Sequence, residues 1–169
     1  MIEIKKKLKN FGPLEFLVLS SVTYVVVMLL WTGSTRSAVV QKANDIKLNH
    51  KLVVEFINNE INECSSNENR ETVWGEKCNS AWTSSSIVKY ILDNFKLNNP
   101  YKIEKPLIQS SQDPRIQAEG KAGQSTDKGI IFVSESKFGS EAGSEWVIGT
   151  CVKSPCVAAG NNELVSVYR

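Results

Sequence analysis

A single carboxylate, Glu15, stands near the start of the apolar run PLEFLVLSSVTYVVVMLLW at residues 13–31. An ionised carboxylate at the edge of a hydrocarbon layer costs free energy unless it reaches water or a cation. The chemistry it offers is charge pairing, and a partner cation that is also short of water turns the cost into a recognition signal. Just before it, Lys5, Lys6, Lys7 and Lys9 form a basic cluster. The other groups able to do chemistry are four cysteines, Cys64, Cys78, Cys151 and Cys156, one histidine, His50, the acidic set Glu135, Glu141 and Glu145, and the tryptophans Trp74, Trp82 and Trp146.

None of these makes a familiar catalytic constellation. A Ser-His-Asp site would have to use His50, which falls inside a helical pattern. No GxxxxGK[ST] loop or dinucleotide fingerprint is present, and Gly120-Lys121-Ala122-Gly123-Gln124 reads as a turn. The expectation is therefore a protein that is not an enzyme and holds no cofactor. The cysteine spacings do not suit zinc, and the one histidine reads as a boundary-packing residue rather than a ligand. Glu135, Glu141 and Glu145 suit a calcium loop, but solvated charge is the simpler reading. The three tryptophans suit either a stacking surface for carbohydrate or ordinary packing, and packing is the simpler reading.

The elements that must position these groups are unevenly charged. The chain of 169 residues carries a net charge of +2, and the basic start accounts for it, since Lys5, Lys6, Lys7 and Lys9 outweigh Glu3. The remainder is near neutral and has no bulk attraction for nucleic acid. Three readings fit the start: a cleaved secretory signal, an uncleaved signal anchor, and a short leader cut ahead of a retained apolar helix. Leu14–Trp31 approaches the length that crosses a bilayer, and the positive-inside rule leaves the lysines in the cytoplasm with the rest of the chain outside. Four cysteines behind a membrane-targeting start suggest two disulfides in an oxidising compartment. Three connectivities are possible, and the short polar loops between them favour Cys64–Cys78 and Cys151–Cys156.

Beyond Trp31 the helical spacing weakens at Thr32-Gly33-Ser34-Thr35 and then resumes. Val39, Ala43, Ile46, His50, Val53, Ile57 and Cys64 follow steps of three and four, and Leu48, Leu52 and Phe56 widen the stripe. Residues 64–81 read as a loop. Ile87, Val88, Ile91, Leu92 and Phe95 mark a second helix with caps at Ser84–Ser86, ended by Asn98-Asn99-Pro100-Tyr101. Residues 102–128 read as a long loop with one short edge strand near Pro106–Ser110. Three strands follow, at Ile130–Val133, Trp146–Val152 and Leu164–Tyr168, and sequential hairpins of this kind favour an antiparallel sheet. The predicted fold is α+β: a long N-terminal helix packed against a small antiparallel sheet.

The start resembles a type IV prepilin: a basic leader, a cut, a phenylalanine, and a glutamate fifth in the mature chain. Placed on this sequence, the cut falls between Asn10 and Phe11, and Glu15 is fifth; Asn10 stands where the family has glycine. The element order and the TCVKSPC segment near the C-terminus are similar to those of pilins too. The resemblance implies a leader at 1–10, a helix at 11–63 with a membrane segment at about 14–31, and a globular head at 64–169. It implies cleavage and N-methylation at Phe11 by a prepilin peptidase, and Glu15 paired with the free amine of a neighbouring subunit. It also implies residence in the inner membrane with a periplasmic head, then assembly with copies of itself or other pilins into an extracellular pilus, a fimbrial filament serving motility, adhesion or DNA uptake. The alternatives are an uncleaved membrane-anchored binding module and a secretion-system pseudopilin.

Overall fold

The structure is a computed structural model that describes residues 12–101, 104–114, 128–135 and 145–169. Its layout is α+β. Helix α1 runs Pro13–Ser66 and helix α2 Ser84–Asn94; the strands are β1 (Ile108–Ser110), β2 (Ile131–Glu135), β3 (Glu145–Cys151) and β4 (Asn162–Tyr168). The chain divides into two compact units, residues 1–41 and 42–169, and α1 contributes to both.

Within the second unit, α1 buries Ile46, His50, Val53, Ile57, Glu60, Ile61 and Cys64. These positions recur every three or four residues, so they share one face of a 3.6-residue helix. Leu48 and Leu52 do not widen that stripe as the spacing predicts: they are exposed. At 100° per residue they lie roughly 200° and 240° around the axis from Ile46, on the opposite side. Val39 is exposed as well, while Ala43 and Phe56 pack at the edge of the core.

The sheet order is β1-β2-β3-β4, and the sheet is mixed rather than antiparallel. The pairs β2–β3 and β3–β4 are the expected hairpins, but β1 runs parallel to β2, with Ile108 opposite Ile131. The physical reason is the connection: residues 111–130 exceed the dozen or so that return a chain to the same end of a sheet. In register, Val133 faces Ile148, which faces Val165, and Trp146 faces Val167. Period-two alternation therefore puts all five on one face, where they join the α1 stripe in a single core. Every residue of β3 is buried, and the strand lies between β2 and β4 in the sheet.

Local chemistry sets the ends of the elements. The second helix is capped by Thr83, one residue before the serines expected to cap it, and Thr83 Oγ1 accepts from the Ser86 N–H. It ends at Asn94, ahead of the predicted stop at Asn98–Tyr101, because Phe95 turns to extended backbone while its N–H still reaches the Ile91 carbonyl. Disulfides join Cys64 to Cys78 and Cys151 to Cys156. The first closes the loop after α1, which also pairs Glu71 with Lys77 in a one-residue bridge. Gly129 is required where it stands: its φ is +83°, and a Cβ there would lie 2.6 Å from Asn99 Oδ1 and 2.8 Å from Tyr101 Cδ2.

Two stability outcomes follow. Replacing Cys64 and Cys78 with serine should cost about 3 kcal/mol by loop entropy, against about 2 kcal/mol for the shorter Cys151–Cys156 loop. Gly129→Ala should cost at least about 2 kcal/mol, from left-handed backbone strain together with the clash. Urea unfolding of the detergent-solubilised chain, followed by tryptophan fluorescence, measures both.

Candidate functional site

The first unit is where the sequence concentrates its unusual chemistry. Helix α1 opens with Gly12 as its cap: the Gly12 carbonyl accepts the Phe16 N–H at 3.1 Å, the first bond of the helix. Pro13 takes the first helical position, where its fixed φ suits the helix and its missing N–H is no loss. Glu15 reaches back, and its Oε2 accepts the Gly12 N–H at 2.5 Å. This is the glutamate half of a capping box, and it satisfies one of the donors a helix start leaves open. The bond is neutral on the donor side, so the negative charge of Glu15 is hydrogen-bonded but not cancelled.

From Leu14 to Trp31 the large apolar side chains stand exposed on the whole circumference, among them Leu14, Phe16, Leu17, Met28, Leu30 and Trp31. An 18-residue window of this helix has a mean hydropathy of 2.0, and none of it is buried inside the protein. Eighteen residues at 1.5 Å each span about 27 Å, close to the roughly 30 Å of a hydrocarbon core. The helix is thus long and apolar enough to cross a membrane, a test that a signal sequence near the N-terminus also passes.

The serine and threonine hydroxyls here do not interrupt the apolar character of the helix. Ser20 donates to the Leu17 carbonyl at 2.9 Å, Ser21 to Val18 at 2.8 Å, Thr23 to Leu19 at 2.8 Å, and Thr32 to Met28 at 3.0 Å. Each is satisfied within its own helix and needs no outside partner in lipid. Helical structure continues through Thr32-Gly33-Ser34-Thr35, where the sequence predicts a weak point, and Thr35 back-bonds to Trp31 at 3.2 Å. A Cβ on Gly33 would meet nothing within 4 Å.

The structure places the remaining candidates as follows. Asn10 and Phe11, assigned to cleavage and methylation, lie outside the described residues. Cys64, Cys78, Cys151 and Cys156 are all in disulfides. Glu141 is likewise outside the described residues; Glu145 is buried and accepts from the Tyr168 hydroxyl at 3.4 Å. Among the described residues no group of three or more histidine, cysteine or acidic side chains is arranged to hold a metal ion. Trp82 and Trp146 are core residues with ring centroids 6.2 Å apart, so the three tryptophans do not form one stacking surface. Trp74 alone of the three is half-buried.

His50 is buried, and its Nε2 lies 3.1 Å from the Ile148 carbonyl. A carbonyl only accepts, so Nε2 carries the hydrogen and the ring ties α1 to β3. Burial holds its pKa below the usual 6.5, against the smaller opposing pulls of that carbonyl and of Glu163.

Sequence reasoning missed two carboxylates that organise the loop after α1. Glu60 is buried on the core face of α1, where it accepts from Arg70 Nη2 at 2.6 Å and from the Val73 N–H at 3.3 Å. Its signal was available: it sits on the stripe three residues past Ile57, with an arginine in the loop that follows. Glu76 accepts from Trp74 Nε1 at 3.1 Å and from Thr83 Oγ1 at 2.9 Å. That bridge between loop and helix cap had no signal in the spacing.

No family model, curated protein or solved structure matches this chain.

The His50 environment sets a pH dependence. The unfolded chain takes up a proton on His50 as pH falls below about 6.5, while the folded chain resists until its lower pKa is passed. Stability present at neutral pH should therefore decline as pH falls through about 6.5 and onward to the lower pKa of the folded chain. His50→Gln, which can still donate to Ile148, should flatten that decline. Thermal melts across the range in detergent check it.

Proposed function

We propose that this chain is the structural subunit of a type IV pilus or a related filament, polymerising through α1 after a prepilin peptidase removes residues 1–10. The observation that carries the reading is the first unit of α1. Its stretch Leu14–Trp31 is an exposed apolar helix of membrane-spanning length whose serine and threonine hydroxyls bond within the helix and whose single charge, Glu15, stands at its rim. A filament core built from such helices offers the same low-polarity surroundings as a membrane, so one surface serves both states. In that core an ionised Glu15 needs a cation, and the amine freed by cleavage before Phe11 supplies one. The pair stabilises assembly because neither charge is well solvated alone. The chain then resides in the inner membrane with its head in the periplasm before it enters an extracellular filament.

A second reading, an uncleaved membrane-anchored module, is favoured by the bond from the Gly12 N–H to Glu15. That contact gives the carboxylate a purely local role as a helix cap, with no cut required.

The two readings part at the N-terminus. The filament reading expects the native membrane-extracted protein to begin at N-methylated Phe11, by intact mass and N-terminal sequencing; a chain that begins at Met1 selects the anchored module. It further expects Glu15→Ala to keep the head's melting temperature while filaments sheared from cells drop sharply. Normal filament yield in that variant removes Glu15 from its assigned role.

A further inference from the structure

An open cavity of ≈ 290 Å³ lies in the second unit, lined by Trp74, Ser86, Lys89, Tyr90, Asp93 and Asn94. Five of these come from α2 at positions 86, 89, 90, 93 and 94, the i, i+3, i+4, i+7, i+8 stripe of one helix face. The opposite face, Ile87, Val88 and Ile91, is buried in the core. The sixth, Trp74, comes from the loop closed by Cys64–Cys78.

Both aromatic walls are held in place before any ligand arrives. Tyr90 stacks on Phe56, with ring centroids 5.8 Å apart and planes 5° from parallel. Trp74 meets the same Phe56 edge-on at 5.9 Å and Trp82 edge-on at 5.1 Å. Its indole N–H is committed to Glu76, which also binds the Thr83 cap of α2. Phe56 thus braces both rings from below, and Glu76 locks the loop to the helix that carries the other wall. The polar side chains have capacity to spare. Asn94 uses its Nδ2 on the Tyr90 carbonyl at 2.9 Å, which leaves its Oδ1 as an acceptor. Among the described residues Lys89 and Asp93 make no ion pair within 4 Å, although they stand one helical turn apart.

We infer that this cavity is a carbohydrate-binding site for one or two sugar rings. Its volume sits at the low end of the roughly 300–1,000 Å³ of ligand pockets, and its makeup is the usual one of aromatic walls with a few placed polar groups. A sugar presents an apolar C–H face and a rim of hydroxyls. The Trp74 and Tyr90 rings take the first, Asp93 accepts from a pair of neighbouring hydroxyls, and Asn94 Oδ1, Lys89 and Ser86 serve the rest. A small zwitterion also offers matching charges to Lys89 and Asp93, but both residues are exposed, and attraction between solvated charges is worth little. Ring contact and bidentate hydroxyl bonding do not depend on net charge. The inference holds whether the chain is a filament subunit or an anchored module, because the cavity lies wholly within residues 74–94.

The test uses the full chain in a polyoxyethylene detergent, since glycoside detergents carry sugar headgroups. Saturation-transfer NMR and tryptophan fluorescence titration are run against methyl glycosides of glucose, galactose, mannose, N-acetylglucosamine and N-acetylgalactosamine, with free phenylalanine as the zwitterionic rival. The expected result is saturable binding of at least one glycoside with transfer concentrated on its ring C–H protons. Asp93→Ala, an exposed change that spares the core, should weaken it about tenfold, as loss of a charge-assisted hydrogen bond does. Tyr90→Leu should weaken it further, with a cooperative melt retained above the assay temperature showing the head intact. Binding of no glycoside, binding indifferent to Asp93 and Tyr90, or preference for phenylalanine would each overturn the proposal.

Discussion

Between Ile46 and Cys64 one face of α1 leaves water almost entirely: Ile46 and Ile57 are fully buried, and Val53 and Ile61 nearly so. Each such side chain is worth roughly 1.5–3 kcal/mol in surface removed from water. What they pack against is the inward face of the sheet, Ile131, Val133, Trp146, Ile148 and Val167. Neither surface stands alone, since a helix stripe and a sheet face that are apolar must each be buried against another element. The His50 bond to Ile148 sets the register of helix on strand within this apolar contact, and as a directional bond it specifies what burial alone leaves loose. The rest of the second unit is built outward from that seam.

The next layer is polar. Cys64 is both the last core residue of α1 and one end of a disulfide, so the loop that follows starts from a fixed point. Glu60 and Glu76 then use their charges on the loop itself, one gathering Arg70 and the Val73 N–H, the other joining Trp74 to Thr83. A buried carboxylate is costly when unpaired, and Glu60 meets that cost with a guanidinium at 2.6 Å. The result is a rigid shelf of Phe56, Trp74 and Tyr90 at the surface, held by side chains that are themselves constrained.

The first unit follows a different logic. Among its described residues no large apolar side chain is buried, and its apolar surface is suited to a lipid or to other helices rather than to water. Helix formation there depends on backbone bonds, and Ser20, Ser21, Thr23, Thr32 and Thr35 place their hydroxyls on carbonyls of the same helix, in a medium that offers no substitutes. Glu15 is the exception, since its bond to the Gly12 N–H satisfies a lone pair without neutralising the charge. On the filament reading, that unspent charge is what makes one docked position of a neighbour better than all others.

The long helix, its apolar first third, the buried Ile87, Val88 and Ile91 of α2 and the three C-terminal strands were legible in the chain because each rests on a local period, 3.6 or 2, that residue types reveal directly. The cysteine loops were legible too, since short polar spans leave few ways to close. Leu48 and Leu52 on α1, and Leu92 on α2, are exposed and misled because apolar type says nothing about which side of a helix has a partner. The parallel pairing of β1 with β2 was hidden in a long, poorly patterned connection, whose path depends on contacts distant in sequence. The Glu76 bridge and the cavity between Trp74 and Tyr90 came only from tertiary structure. Each joins residues from different elements, and their meeting is decided by how the stripe of α1 seats on the sheet, a packing outcome that no local spacing encodes.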